Sequence, residues 1–170
     1  KKIYELLIEK GKDFNLSNCG MHAMDIMRME SGFLHWGHDI SPEENQYQAG
    51  LSFTISSKKE VDFIGKQALE KIKQDKIKTR FSMFTLKKSE PGKPLLLHDE
   101  PIYDGEKIIG RSTSGNYSFN FRKNLVFGYI NNDFSNEELQ NKNLFIEVEK
   151  KKYPIKLISK PLKQTNFKNN

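Results

Sequence analysis

Cysteine is nearly absent from this chain: Cys19 stands alone among 170 residues. An internal disulfide is therefore excluded, and the usage suits a reducing cytoplasm, which is the expected compartment. No apolar run approaches the roughly 18 residues needed to cross a bilayer, and no secretory leader is visible. Histidine is sparse too, at four residues, and no cluster of His and Cys at ligand spacing completes a metal site. No G-x-S-x-G elbow exists, and no motif around Cys19 would activate it as a nucleophile. What is present is bulky core material. Twelve Phe and six Tyr predict a folded chain of one domain, or one domain plus part of another. The first residue is Lys1 and not Met, so a processed or excised piece of something longer is expected.

The net charge is +6, with a pI near 9.2. The lysines are spread along the chain beside many Asn and Ile, so nucleic acid is not the expected partner. The one dense patch is the end of the chain, with seven lysines and no acid from Lys150 onward. A solvated face explains it; attraction of a polyanion is the alternative.

"KKIYELLIEKG" places Ile3, Leu6 and Leu7 on one helical face and stops at Gly11. "GMHAMDIMRME" predicts a second helix whose Met21, Met24 and Met27 form a core stripe. "QAGLSFTIS" reads as a strand with Leu51, Phe53 and Ile55 alternating. "DFIGKQALEKIKQDK" returns to helix, with Asp62 as N-cap. Beyond about Lys78 the period becomes two, in "TRFSMFTL", "PIYDGEKIIG", "NYSFNF", "NLVFGYI", "LFIEVE" and "YPIKLIS". Tyr117, Phe119 and Phe121 share one face, as do Leu144, Ile146 and Val148. Asp104-Gly105 signals a hairpin. Strands at this spacing predict a small antiparallel barrel or sandwich, entered through a charged link near Asp75 to Lys78.

The stretch "MRMESGFLHWGHD" poses the chemical question. His35 and His38 are three apart, but Gly37 breaks any helix between them, and Asp39 and Ile40 lead into a turn at Ser41-Pro42. No metal is expected there. "GRSTSGNYS" is rich in hydroxyls and reads as a tight strand connection, since the lysine and helix of a phosphate loop are missing. Glu30 sits among Met27, Met29 and Phe33. A carboxylate buried there is costly unless it is paired or hydrogen-bonded. Its partner is either Arg28 or a surface lysine, or else a ligand presenting two parallel N–H donors, as pterins and guanines do. The residues alone leave both open.

"CGMHAMDIMRMESGFLHWGHDISPEENQYQAGLSFTI" resembles the C-G-L-x-A-x-D-x-L-R-L-E-x-G segment of the glycine-cleavage T-protein (aminomethyltransferase) family, with its Y/W-G-x-D/E turn and E-A/G-G-L strand. Cys19, Gly20, Ala23, Asp25, Arg28, Glu30, Gly32, Trp36, Gly37, Asp39, Gly50 and Leu51 match. "DFIGKQALEKIK" is similar to the form in dimethylglycine and sarcosine dehydrogenases. "IIGRSTSGNYSFNFRKNLVFGYI" resembles the G-x-x-T-S-G-x-Y-S segment of the family's C-terminal barrel. The resemblance runs over nearly the whole chain, with three separated motifs in order.

The resemblance implies an α+β fold: residues 1–77 as the C-terminal part of the folate-binding central region, and 78–170 as the antiparallel barrel. It implies tetrahydrofolate as the bound group and aminomethyl or methylene transfer as the parent reaction, with Glu30 holding the pterin by its N–H edge. Less direct carry-over adds Met29 and Ser31 beside Glu30, His22 where dehydrogenase relatives often have Tyr, and Gln48 in place of the usual acid. It also adds Lys59 near an arginine that meets the ligand's acidic tail, and Tyr103 in the barrel hairpin. The family's catalytic aspartate lies in an N-terminal region this chain does not supply, so no catalytic residue is assigned here. Implied partners are folate, the N-terminal region of the parent enzyme and a lipoyl carrier protein. FAD is implied only for a dehydrogenase parent, and not on this segment. The rival readings are a folate- or partner-binding module without chemistry, and a basic β-barrel that binds RNA.

Overall fold

The computed structural model describes residues 1–56 and 62–163. Helix α1 (Lys2–Gly11) and helix α2 (Met21–Glu30) come first. Helix α3 (Lys66–Gln74) leads into six strands: β1 (Thr79–Leu86), β2 (Pro101–Asp104), β3 (Lys107–Ser118), β4 (Lys123–Asn131), β5 (Leu144–Val148) and β6 (Lys151–Ile158). A short helix α4 (Asn136–Gln140) separates β4 from β5 and carries a Ser135/Glu138 capping box. All strand pairs are antiparallel, and the order β1-β4-β3-β2-β5-β6 closes on itself as a barrel. Closure removes the unpaired edges that would otherwise recruit another chain.

The alternation read from the sequence has a direct cause. Leu144, Ile146 and Val148 point into the barrel, where they meet Phe84, Ile102, Val126 and Ile155. β4 behaves differently: seven consecutive residues are buried. Its inward positions fill the barrel, while Leu125 and Phe127 face outward and are covered by Ile26 and Met29 of α2. Helix α2 is thus docked on the barrel wall by an i, i+3, i+4 set, Ile26, Met29 and Glu30.

That docking overturns the expected methionine stripe. Met21, Met24 and Met27 lie on other faces of α2 and are exposed. The strand expected at "QAGLSFTIS" is also absent. Ala49 and Leu51 donate back to Asn45 and Gln46, Gly50 turns at φ 71°, and Ser52–Thr54 form a single 3-10 turn with Phe53 in solvent. Local bonds win there because a closed barrel offers no edge for another strand. Helix α3 starts four residues after Asp62. Its flanking residue is Gly65 at φ 90°, and the Asp62 carboxylate accepts from its neighbour Phe63 N–H. The "GRSTSGNYS" stretch is not a connection; it lies within β3. The expected "NYSFNF" strand ends at Ser118, whose hydroxyl accepts Phe121 N–H and turns the chain, leaving Phe119 exposed.

Two glycines are forced by backbone approach. A Cβ at Gly110 would meet the Tyr129 carbonyl and Ile130 Cα across the ladder, and one at Gly128 would meet the Arg111 carbonyl. Gly110→Ala must therefore part β3 from β4, and a loss of about 1–3 kcal/mol is expected from overpacking. A urea midpoint unchanged from the parent would contradict this.

Candidate ligand-binding site

A β-bulge sets the geometry. In the β3–β4 register Ser112 faces Gly128 and Ser114 faces Phe127, so Thr113 is the extra residue. Adjacent strand residues normally point to opposite faces. The bulge turns two consecutive hydroxyls the same way: Thr113 Oγ1 and Ser114 Oγ both donate to Asp39 Oδ1, at 2.5 and 2.8 Å.

Asp39 is 1% exposed, and its other oxygen accepts His35 N–H at 2.9 Å and pairs with Arg28 Nη1. Arg28 also forks onto Asp25 Oδ1 through Nε and Nη2, at 2.9 and 2.7 Å, and reaches Ser114 Oγ at 2.7 Å. Its guanidinium lies over the Phe127 ring. Tyr129 donates to the Asp39 carbonyl at 2.8 Å, and burial pushes its hydroxyl pKa far up, with Glu44 and Asp39 adding to the effect. This network clamps the 35–40 turn and α2 onto the barrel. It also answers the structural alternative for Glu30: Arg28 is committed to Asp25 and Asp39.

Glu30 is 2% exposed and sits at the other end of the α2 interface. Ser118 Oγ donates to Oε1 at 2.5 Å. Asn120 Nδ2 spans both oxygens, at 3.2 and 3.0 Å. Both donors are neutral, and among the described residues no cation pairs with this carboxylate.

On the opposite side of α2, by the helical repeat, a cleft of about 540 Å³ opens between the helix and β3. Met21 and Met24 wall it from α2, and Leu95, Leu96 and Leu97 from the loop before β2. Asp25, Arg28 and Asn116 contribute polar edges.

The expected site residues do not all converge. Glu30 and Met29 lie together under α2, where Met29 is core against Leu125 and Phe127. Ser31 caps the helix. His22 borders the cleft on the far side. Gln48 ties its loop to the barrel, donating to Thr79 Oγ1 at 2.9 Å, while its carbonyl accepts Phe81 N–H. Tyr103 is on β2 under Lys152, borders neither Glu30 nor the cleft, and has its pKa raised by desolvation and by Glu147. Lys59 lies outside the described residues. Ser118, Asn120 and the Thr113/Ser114 pair are site residues that sequence reasoning misses; the T-S-G run marks β3, which carries all of these but Asn120. Among the described residues no group of three or more His, Cys, Asp or Glu side chains is placed to hold a metal ion.

A closed antiparallel barrel, with a helix and an acid-bearing turn clamped to its wall by a bulged T-S-G strand, defines the class. Two family models match it: the GCVT N-terminal domain over residues 1–59, and the glycine cleavage T-protein C-terminal barrel domain over residues 80–163. The chain belongs to the glycine-cleavage T-protein family. It is 32% identical to human mitochondrial dimethylglycine dehydrogenase over 94% of its own length, and 34% identical to an aminomethyltransferase of Symbiobacterium thermophilum over 75%. The chain spans 18% of the first relative and 33% of the second. The crystal structure of the glycine cleavage system aminomethyltransferase T from Bartonella henselae superposes with a TM-score of 0.78. That match covers 95% of this chain and 44% of that one at 22% identity, and it supports the fold.

Proposed function

We propose that this chain supplies part of the folate pocket of a tetrahydrofolate-dependent one-carbon transferase, of the dimethylglycine dehydrogenase or aminomethyltransferase type. The observation that carries the reading is Glu30: a buried carboxylate met, among the described residues, only by neutral donors, with one amide laid across both oxygens. Such an oxygen pair suits the two parallel N–H donors of a pterin edge, and Asn120 is the group such an edge would displace. His22, Met29, Ser31, Gln48, Lys59 and Tyr103 stand behind Glu30 in this proposal; Met29 and Ser31 adjoin it at the end of α2. The division at residue 77 separates the folate-binding region from the barrel. A lipoyl carrier protein and an N-terminal catalytic region are the proposed partners, and FAD belongs to a dehydrogenase parent alone. Among the described residues no helix is long and apolar enough to cross a membrane. A reducing compartment fits the free, exposed Cys19.

The chain by itself is expected to form no methylenetetrahydrofolate, since it spans only 18% of the dimethylglycine dehydrogenase and 33% of the aminomethyltransferase it resembles. An assay with an aminomethyl donor is expected to stay at the level of a heat-killed control, and turnover above that control would overturn the division of labour.

A further inference from the structure

All four histidines of the chain, His22, His35, His38 and His98, line the one cleft described above. Three of them cluster: His35 and His38 have ring centroids 4.6 Å apart, and His38 and His98 are 6.4 Å apart. They come from two separate segments, the turn after α2 and the loop before β2. His98 Nδ1 is 2.8 Å from Asp99, but among the described residues no group hydrogen-bonds the rings of His35 or His38. Next to this polar end lies the apolar wall of Met21, Met24 and the Leu95–Leu97 loop.

We propose that this cleft is a second ligand site, separate from Glu30, that takes a small organic carboxylate: the apolar body lies against the Met and Leu wall, and the anion lies against the imidazole cluster. The carboxylates around the cleft are already partnered. Asp25 and Asp39 are held by Arg28, Asp99 by His98 and Arg111, and Glu100 by the Leu97 N–H and the Ser112 hydroxyl. The donors left for a ligand's carboxylate are the ring N–H groups of His35 and His38, at least one on each ring in either tautomer, 4.6 Å apart between ring centroids.

The test uses 2-naphthoate as probe and the neutral 2-naphthalenemethanol as control. Titrations of the 170-residue chain are followed through the four histidine ring-proton NMR signals, assigned with single His→Gln variants. Naphthoate is expected to shift the His35, His38 and His98 signals. The neutral control shifts them little. The double variant His35→Gln/His38→Gln replaces exposed side chains, so its melt should match the parent while naphthoate binds about tenfold more weakly. Glu30→Gln should bind naphthoate like the parent, which keeps this site distinct from the folate proposal. Unmoved histidine signals, equal binding of the neutral control, or parent-like binding by the double variant would overturn it. Loss of naphthoate binding in Glu30→Gln would also do so, by making the two sites one.

Discussion

Asp39→Ala is expected to lower the melting temperature by roughly 6–20 °C, the largest single effect in the molecule. Its side chain is fully buried and answers four donors: Arg28, His35 N–H, Thr113 and Ser114. Removing it leaves the Arg28 guanidinium, itself only 14% exposed, with Asp25 as its one carboxylate, and strands two hydroxyls. Breaking a buried pair from one side costs about 3–5 kcal/mol, and a domain of this size loses about 2–4 °C per kcal/mol. Asp39→Asn keeps an oxygen for Thr113 and Ser114 and should fall between the two. Adding Arg28→Met to Asp39→Asn should recover part of the loss, because no uncompensated charge then remains. A thermal melt of Asp39→Ala within about 2–3 °C of the parent, equivalent to about 1 kcal/mol, would show that the clamp contributes little.

Glu30→Gln has the opposite signature in the enzyme that contains this chain. The variant keeps the shape and an oxygen for the Ser118 hydroxyl, and it removes a buried charge that among the described residues meets only neutral donors. Stability should hold or rise slightly, since an unpaired buried carboxylate is costly. Tetrahydrofolate binding should weaken by about 10- to 100-fold or more. Gln presents one acceptor and one donor, so a pterin N–H then faces another N–H; hydrogen bonds to a charged group are worth roughly 1.5–3 kcal/mol, and the orphaned donor adds a similar cost. Calorimetric titration and thermal melts on the same variant separate the roles. A fall in melting temperature with unchanged folate affinity would make Glu30 a purely structural tie.

The barrel was legible because its physics is local. Period-two alternation at Leu144, Ile146 and Val148, and the Asp104-Gly105 turn, follow from facing a single core. Helix α2 was legible as a helix but not in its rotation. Three methionines made the more conspicuous stripe, yet the face that packs is set by which residues fit Leu125 and Phe127, a partner a hundred residues away in sequence. The Ser52–Thr54 turn was misread for a related reason: alternation signals a strand only where an edge exists to pair with it. At the site, Glu30 stood out as an acid among apolar residues. Its donors Ser118 and Asn120 did not, because serine and asparagine after a strand usually mean a turn, and here they serve as both. The Thr113 bulge leaves no mark on periodicity beyond one out-of-phase polar residue.

The most direct measurement is a crystal structure of the tetrahydrofolate complex of the intact enzyme. The pterin N–H edge is expected on the two oxygens of Glu30, with the Asn120 amide displaced from them and Ser118 still donating to Oε1. Asn120 still laid across Glu30, with the pterin bound elsewhere, would contradict the account.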